Sequence, residues 1–549
     1  MRPSASRISG PAAALLLATG LPAVAAAVDP AYDLLLAGGT VVDGSGAPRF
    51  AGDVAIFGDR IVKVSRSPID RSLALKVVDV TGKVVAPGFI DSHAHLVRLD
   101  TYPLAENLLR QGVTSIVASL HAQDEPWPLG EYLAHVRSAP NVGFFAGHSF
   151  IRKRVVGLED RAPTAAELEA MKELVAISMR EGALGLATGL EYVPANYAKT
   201  EEIVELAKVA ARSGGSYSTH MRDEGPGLLD SIDETIRIGR EAGLPVQINH
   251  LKAAGAAQFG WSVPAIARIE AARAAGVDIA FDVYPYTAFS TDSDVCFPAW
   301  SLAGGPEAFR RRIADPATRA RIEREMLAIL PIQTGRGAAS LQFRDHPLDP
   351  RLAGKTLADD LAALGRSDTA ENAVHRLVDL QAAGSFEGIF HAMDEDDLRR
   401  FLVHPLAMVI SDADLVGYGV GYPHPRSYGT FPRVLGRYVR ELKLLTLEEA
   451  IRKMTSAPAA RIGEIDRGVV RAGAFADLVV FDPERIRDLA TYDDPHRPSL
   501  GVEQLYVNGV AVIRDGGLTG ERPGRVLRRA PHPVAGGAGG GQGDSRWRR

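Results

Sequence analysis

Two histidines separated by one residue close a short apolar segment early in the chain. His93 and His95 follow the pair Val84-Val85 and the stretch 86–92. On a β-strand, residues two apart point to the same side, so both imidazoles can face one point. Neutral imidazole is a common zinc ligand in proteins. The spacing therefore predicts part of a metal centre at the end of a buried strand.

Polar residues follow three later apolar runs in the same way. The runs ending near residues 218, 248 and 410 lead directly into His220, His250 and Asp412. If these runs are parallel barrel strands, their C-terminal ends meet at the catalytic face. A single strand-end histidine is commonly a structural, hydrogen-bonded residue, but five such residues on one face are hard to explain by packing. Four imidazoles and a carboxylate form a donor set that suits zinc.

The elements that must position these residues alternate between short strands and helices. Helical patterns at 165–181, 200–213, 230–242 and 263–275 are each followed by a glycine, as helix C-termini favour. This alternation predicts an α/β fold, a TIM-like (β/α)8 barrel. The strand that contains His93 is counted as the first, and the strand that ends at Ile410 as the last.

The sequence on both sides of the barrel region has a different pattern, without the alternation of strands and helices. Short strands with glycine-rich turns occupy 32–85 and return at 477–513, which predicts a small β-sandwich domain formed from both termini. The expected divisions are a signal peptide (1–27), the two parts of the β domain (28–86 and 456–528), the barrel (87–455) with an insertion at about 287–380, and a disordered glycine-rich tail (529–549).

Composition excludes several classes of protein. Of 549 residues, 46% are hydrophobic and 23% charged, as in ordinary globular proteins. The formal net charge of −5 gives no indication of a nucleic-acid partner. Cys296 is the single cysteine, so an internal disulfide framework and a cysteine-cluster metal site are excluded. No feature of the sequence specifies an oligomeric state.

The first 27 residues resemble an export signal. Arg2 and Arg7 precede an apolar run from Pro11 to Val24, and three alanines end it at Ala27. The alternative is a membrane anchor, but the run is shorter than the roughly 20 apolar residues that a span needs. We therefore expect a secreted or periplasmic protein, with no integral membrane span after the signal is removed.

Several segments carry a resemblance to a known family. The ordered set of an early His-X-His, two later histidines and a final aspartate resembles the amidohydrolase superfamily. Within it, five segments are similar to the N-acyl-D-amino-acid deacylases, or D-aminoacylases. These segments are Gly185–Tyr192, Thr219–Glu224, Asn249–Gly255, Asp282–Tyr286 and Pro423–Phe431.

One residue departs from the pattern of this family. Better-known members have a metal-bridging cysteine after the second strand, where His121 stands in this chain. Glu191, at the end of the fourth strand, is the candidate for a replacement bridging ligand, since a carboxylate oxygen binds zinc well. His121 as the ligand is one alternative, and a pocket-lining role for Glu191 is another. The resemblance implies one or two zinc ions.

The resemblance also implies a mechanism. Zinc held by His220, His250 and a bridging group would lower the pKa of a bound water to about 7, and His93, His95 and Asp412 would hold or neighbour a second position. The metal-bound hydroxide would attack the carbonyl carbon of an N-acyl amide. Asp412 would act as general base and then as general acid toward the leaving amine, although a helix-capping role is its structural alternative.

Three residues are expected to bind the substrate's carboxylate by resemblance: Lys252, Tyr284 and Arg222. An ion pair with a local acid is the alternative for Arg222. His424 and Arg426, on a loop just past Asp412, are equally compatible with reaching the site and with a structural role.

The expected activity is zinc-dependent hydrolysis of N-acyl-D-amino acids, small-molecule substrates, to a free D-amino acid and a carboxylate. An exported amidohydrolase of dipeptides or cyclic amides is an alternative, although the bridging lysine usual in cyclic-amide hydrolases is absent from 184–191. A non-catalytic binding protein on the same barrel is another. The complete set of four histidines and Asp412 argues against it.

Overall fold

A computed structural model of the chain describes residue 1, residues 30–118 and residues 126–529. Residues 2–27 of the predicted signal peptide, His121 and nearly all of the predicted tail lie outside these residues. The described strands are β1 Tyr32–Val41, β2 Phe50–Phe57, β3 Arg60–Ser65, β4 Ala74–Asp79, β5 Val84–Pro87, β6 Phe89–Ala94, β7 Val113–Ala118, β8 Asn141–Phe144, β9 Ala146–Gly147, β10 Gly185–Gly189, β11 Ser216–His220, β12 Val246–Ile248, β13 Ile279–Val283, β14 Phe289–Asp292, β15 Leu341–Asp345, β16 Glu387–Phe390, β17 Ala407–Val409, β18 Leu478–Phe481, β19 Val502–Val507, β20 Val510–Arg514 and β21 Gly517–Leu518.

The described α-helices lie mainly between the strands of the central region. They are α1 Glu106–Leu109, α2 Leu129–His135, α3 His148–Val155, α4 Ala165–Glu181, α5 Thr200–Arg212, α6 Leu228–Ala242, α7 Ser262–Ala274, α8 Ala299–Leu302, α9 Gly305–Ala314, α10 Pro316–Thr334, α11 Leu357–Ala363, α12 Ala370–Ala383, α13 Glu395–Val403, α14 Arg426–Arg433, α15 Leu447–Met454 and α16 Ser456–Ile462. A π-helix, Val434–Glu441, continues α14. Among the described residues, no helix combines the length and the apolar character needed to cross a bilayer.

Eight parallel strand positions form the predicted barrel. β6, β7 and β8 pair in that order, and β9 to β13 followed by β17 pair in the next sheet, with β9 continuing the path of β8. The last strand closes on the first, since the Asp412 N–H donates to the His93 carbonyl at 3.0 Å and the His95 N–H to the Ala413 carbonyl at 2.9 Å. The predicted (β/α)8 barrel is therefore confirmed, with its first and last strands where the sequence places them.

Local sequence explains why the barrel helices begin and end where they do. Thr164 caps α4 through a reciprocal capping box with Glu167, which satisfies backbone N–H groups of the first turn. Gly182 ends the same helix at φ 115°, a left-handed conformation that favours glycine. The apolar faces of these helices and the barrel strands share one large core.

Both ends of the chain meet in one sheet beside the barrel. β1 to β5 and β18 to β21 form nine strands, and β18 pairs antiparallel with β5, with Val480 opposite Val85. Because β5 leads through Gly88 directly into β6, this sheet fixes the start of the strand that carries His93. The prediction that the two termini build one β domain is confirmed.

A separate antiparallel unit lies over the barrel mouth. β14, β16 and β15 pair in that order, and α8 to α12 pack with them around a second core that includes Phe309, Phe343 and Leu377. The unit includes β16, which lies beyond the insertion of 287–380 expected from sequence. β16 has only four residues, and its place is set by long-range pairing with β14 and β15.

Candidate metal centre

The five strand-end residues predicted from the sequence meet at the C-terminal end of the barrel. His93 and His220 are on β6 and β11, while His95, His250 and Asp412 follow β6, β12 and β17 within three residues. His250 and Asp412 have positive φ values of 35° and 53°, which non-glycine residues rarely adopt. Such conformations persist where surrounding contacts enforce them, and they cluster at functional sites.

Two buried aspartates behind the site supply those contacts. Asp282 on β13 accepts a hydrogen bond from the His250 N–H at 2.5 Å and from Asn249 Nδ2 at 3.0 Å. Asp91 on β6 accepts from the Ser411 N–H at 3.0 Å and also from the Ser411 hydroxyl. Each aspartate thus holds the backbone at one of the two unusual turns. Their roles had no signal in the sequence beyond their places on the predicted strands.

His93, His95 and Asp412 form the first group of ligand atoms. Asp412 Oδ1 lies 3.2 Å from His93 Nε2 and 3.0 Å from His95 Nε2. The other carboxylate oxygen of Asp412, Oδ2, lies 2.7 Å from Arg426 Nη1. Arg426 therefore reaches the site from α14, which was one of the two alternatives left open by the sequence.

His220, His250 and Glu224 form the second group. Their candidate ligand atoms all lie within 4.8 Å of one another, as do those of the first group. His220 Nδ1 is 3.0 Å from His250 Nε2, and Glu224 Oε1 is 3.0 Å from His250 Nδ1. The His93 and His250 rings lie 5.1 Å apart, centroid to centroid, so the two groups are adjacent.

Glu191 contacts the second group from the end of β10. Its Oε2 lies 2.7 Å from His220 Nε2, the ring nitrogen that faces away from His250. The structure therefore brings together all six predicted metal ligands: His93, His95, Glu191, His220, His250 and Asp412. Sequence reasoning missed Glu224, although its position four residues after His220, in Thr219-His220-Met221-Arg222-Asp223-Glu224, was a usable signal.

Of the predicted substrate residues, Lys252 faces the cavity and Tyr284 lies behind it. Lys252 is buried and lines the cavity, with Nζ 2.5 Å from Glu224 Oε2. Tyr284 is buried behind the site, where its ring packs 4.9 Å from the Arg426 guanidinium and its hydroxyl donates to Met393 Sδ at 3.7 Å.

Arg222 is engaged elsewhere. Its guanidinium binds both carboxylate oxygens of Glu234 at 2.9 Å and donates to the carbonyls of Asn196 and Ala198 at 3.0 and 2.9 Å. The structure thus shows the ion pair that was the alternative for Arg222, since Glu234 on α6 faces it. These bonds correct the expectation that Arg222 is available for a substrate carboxylate.

Burial and charge set the protonation of the site. Burial lowers the pKa of His220 to about 4, and burial together with Lys252 holds the pKa of His250 well below its usual value. Burial raises the pKa of Asp412, but the Arg426 guanidinium and His250 outweigh it and hold that pKa well below its usual range. Neutral imidazoles beside an ionised carboxylate are the states in which these groups bind a metal.

The donor set fits zinc. Imidazole nitrogens and carboxylate oxygens are zinc ligands, and both groups lie at the floor of a cavity of about 510 Å³, where every member except the half-buried His95 is buried. Burial and the neighbouring Glu224 also raise the pKa of Glu191 to about 8. Two adjacent carboxylates repel each other when both are ionised, and a nearby cation relieves this repulsion.

Comparison with known proteins agrees with this geometry. Residues 76–513 match the family described as the amidohydrolase family. The chain belongs to this family. A D-aminoacylase of Alcaligenes xylosoxydans xylosoxydans is 38% identical over 531 residues, which cover 91% of this chain and 98% of the relative. The resemblance predicted from the sequence is confirmed, as is the prediction of a metal-dependent amidohydrolase.

Two solved structures extend the comparison to the fold. A crystal structure of D-aminoacylase superposes with a TM-score of 0.77 at 36% identity and covers 91% of this chain and 100% of its own. An N-acyl-D-glutamate deacylase from Bordetella bronchiseptica, complexed with zinc and a phosphonate mimic of the tetrahedral intermediate, has a TM-score of 0.76 at 32% identity. That match covers 90% of this chain and 99% of the deacylase. The predicted zinc cofactor agrees with this relative.

Proposed function

We propose that this amidohydrolase removes the acyl group from N-acyl-D-amino acids with the help of zinc. The observation that carries the proposal is the meeting of His93, His95 and Asp412 with His220 and His250 at the floor of one cavity. The D-aminoacylase and the N-acyl-D-glutamate deacylase, which match nearly the whole chain, support the choice of a linear N-acyl amide.

The five strand-end residues divide the metal binding between them. His93, His95 and Asp412 would hold one zinc position, and His220 and His250 the other. Zinc bound at these residues supplies a water whose pKa is lowered to about 7 and polarises the carbonyl oxygen of the amide.

Asp412 is the residue that moves the proton. Its Oδ1 faces His93 and His95, while Oδ2 is held by Arg426, so the carboxylate has a fixed orientation. Asp412 takes a proton from the attacking water and then delivers it to the amine nitrogen as the C–N bond breaks. Such general acid–base transfer contributes typically about 10²–10⁴-fold to the rate.

The substrate's carboxylate requires a cationic partner near the histidines. Lys252 and Arg426 line the cavity beside the histidines, and each has only 3% of its surface exposed. We propose that these two residues bind the carboxylate, with Arg426 in the place that the sequence assigned to Arg222. The Tyr284 ring supports Arg426 from behind.

We further propose that the protein is exported. Support comes from the sequence alone: the basic residues Arg2 and Arg7, the apolar run that follows them, and the alanines that end it at Ala27. Cell fractionation of the host expressing the full chain, with N-terminal sequencing of the product, tests this. A cytoplasmic product that retains residues 1–27 would contradict it.

A substrate panel tests the activity. The purified protein with zinc is incubated with N-acetyl-D-amino acids, their L counterparts, dipeptides and a hydantoin, and release of free amine is measured. We expect turnover of the N-acetyl-D compounds, its loss on chelation and its return with zinc. Hydrolysis of L forms only, of dipeptides only or of the hydantoin only would reject the proposed substrate, and failure of zinc to support any turnover would reject the proposed chemistry.

A further inference from the structure

The histidines of the second group each turn one ring nitrogen toward the other. His220 Nδ1 and His250 Nε2 lie 3.0 Å apart. Two nitrogens bound to one tetrahedral zinc at 2.0–2.1 Å are separated by about 3.3 Å. These two nitrogens are therefore the pair that a single zinc ion can share.

The opposite ring nitrogens both face carboxylates. His220 Nε2 lies 2.7 Å from Glu191 Oε2, and His250 Nδ1 lies 3.0 Å from Glu224 Oε1. A histidine that binds a metal usually donates its other N–H to a carboxylate, carbonyl or water, which fixes the tautomer and the ring orientation. The arrangement repeats this relation twice, on neighbouring strands.

We propose that Glu191 and Glu224 are positioning residues that orient His220 and His250 for zinc. The inference rests on the proposed function, and it gives Glu191 a different role from the bridging ligand expected from the sequence. A bridging carboxylate has to face the shared nitrogens, whereas Glu191 Oε2 contacts the nitrogen on the far side of the His220 ring.

Both carboxylates are themselves held in place. Gln333, on α10 of the antiparallel unit over the barrel mouth, hydrogen-bonds to Glu191. Lys252 Nζ lies 2.5 Å from Glu224 Oε2 and 2.8 Å from His250 Nδ1. Since an ammonium has donors only, Lys252 donates to Glu224 Oε2 and can also donate to an unprotonated His250 Nδ1. Zinc bound at His250 Nε2 would place the ring proton on Nδ1, which would then donate to Glu224 Oε1 instead of accepting from Lys252. The orientation of His220 thus depends on the antiparallel unit, and that of His250 on Lys252.

Metal binding measured without turnover tests the role of Glu191. The full-length protein is freed of metal, and zinc affinity and stoichiometry are measured by chelator competition for the parent, Glu191→Gln and Glu191→Ala. The absorption spectrum of the cobalt(II)-substituted protein reports the coordination number. Asp294→Asn is the matched control, because Asp294 lines the same cavity but hydrogen-bonds to Gln381 rather than to a histidine.

A positioning role predicts a specific pattern. Glu191→Gln keeps an acceptor oxygen, so its zinc affinity should stay within a few-fold of the parent. Glu191→Ala should bind zinc about 10–100-fold more weakly, with unchanged stoichiometry and an unchanged cobalt spectrum. Asp294→Asn should match the parent. Circular dichroism verifies that each variant is folded.

Two results would overturn the inference. Loss of a full equivalent of metal or an altered cobalt spectrum in Glu191→Gln would make Glu191 a ligand. Parent-like affinity in Glu191→Ala would remove any role in metal binding. In both cases a parent that binds zinc and hydrolyses N-acyl-D-amino acids leaves the proposed function intact, whereas a parent that binds no zinc rejects the proposed function and this inference together.

Discussion

At the residue scale, the chemistry of the centre depends on Asp412 more than on any other side chain. Its two oxygens have different partners, the histidines of β6 on one side and Arg426 on the other. Asp412→Asn keeps the shape of the side chain and one oxygen that can accept a hydrogen bond from Arg426. The amide cannot accept the proton of the attacking water. We expect kcat to fall about 10²–10⁴-fold. Steady-state kinetics on an N-acetyl-D-amino acid, with zinc content and circular dichroism in parallel, provide the measurement. A folded, zinc-loaded variant with parent-like kcat would contradict the assignment of Asp412 as general base.

At the element scale, the closure between β6 and β17 makes a pH-dependent contribution to stability. Asp91 on β6 binds both the N–H and the hydroxyl of Ser411, the residue before Asp412. Burial raises the pKa of Asp91 to about 7, although the Ser411 hydrogen bonds oppose the shift. A carboxyl whose pKa is higher in the folded than in the unfolded protein binds more protons when folded. Its contribution to stability is therefore present at low pH and is lost as the pH rises from about 4 to about 7.

Replacement of Asp91 by asparagine should reduce the change in the free energy of unfolding with pH. The amide cannot titrate, yet it can still accept the Ser411 N–H. We expect the parent to lose stability relative to Asp91→Asn, by a few kcal/mol, between pH 4.5 and pH 8. Urea unfolding of the metal-free proteins at both pH values measures the difference. Parallel pH profiles for the two proteins would show that Asp91 does not titrate in this range.

Arg344 on β15 links the antiparallel unit over the barrel mouth to the loop that follows Asp412. Its guanidinium contacts Asp414 at 2.7 Å, two residues past Asp412, and Glu387 on β16 at 2.8 Å. Arg344→Ala leaves both acids without this partner, so the unit should hold the substrate less well. We expect KM to rise about tenfold or more with a smaller change in kcat, since the metal ligands are untouched. Arg351→Ala, on the surface of the same unit with its side chain 88% exposed, is the matched control and should leave both constants unchanged. A lower kcat at constant KM in Arg344→Ala would refute this role.

The elements also show which parts of the site a sequence can reveal. The barrel strands and the helices at 165–181 and 200–212 were predictable because periodicity and terminal glycines are local signals. His93, His95, His220, His250 and Asp412 were predictable because parallel strands bring their C-terminal ends together. The sequence left an ion pair open for Arg222 but did not identify Glu234 as the partner, because Glu234 lies twelve residues further along the chain on α6 and only the packing of that helix brings it to the guanidinium. Likewise Asp91 and Asp282 are ordinary strand residues until the fold places them behind the turns at Ser411 and His250.

At the scale of the whole molecule, the distribution of charge around the cavity bears on which substrate side chains it can accept. Beyond the metal centre and the two cations already assigned to the substrate's carboxylate, Lys252 and Arg426, the cavity is lined by five acids and two arginines: Asp292, Asp294, Asp345, Glu387 and Asp414, with Arg98 and Arg344. Three of these acids lie in one row across the antiparallel sheet, since Glu387 pairs with both Asp292 and Asp345 in register. Like charges directly opposite each other on neighbouring strands are destabilising, and Arg344 offsets part of this repulsion through its contact with Glu387.

This excess of negative charge should select against acidic substrates. Two unit charges 8 Å apart interact by about 2 kcal/mol at an effective dielectric constant of 20, and each 1.4 kcal/mol is a factor of ten. We therefore expect kcat/KM for N-acetyl-D-glutamate to be at least about tenfold below that for N-acetyl-D-methionine. This difference in kcat/KM should become smaller as the ionic strength rises, because salt screens the repulsion. Burial raises the pKa of Asp292 to about 7, so the assay is run at pH 8, where this carboxyl is ionised. There Asp292→Asn should narrow the difference further by raising kcat/KM more for the glutamate substrate than for the methionine substrate, whose side chain carries no charge. Equal values for the two substrates, or a gap that neither salt nor Asp292→Asn reduces, would show that shape rather than charge sets the preference.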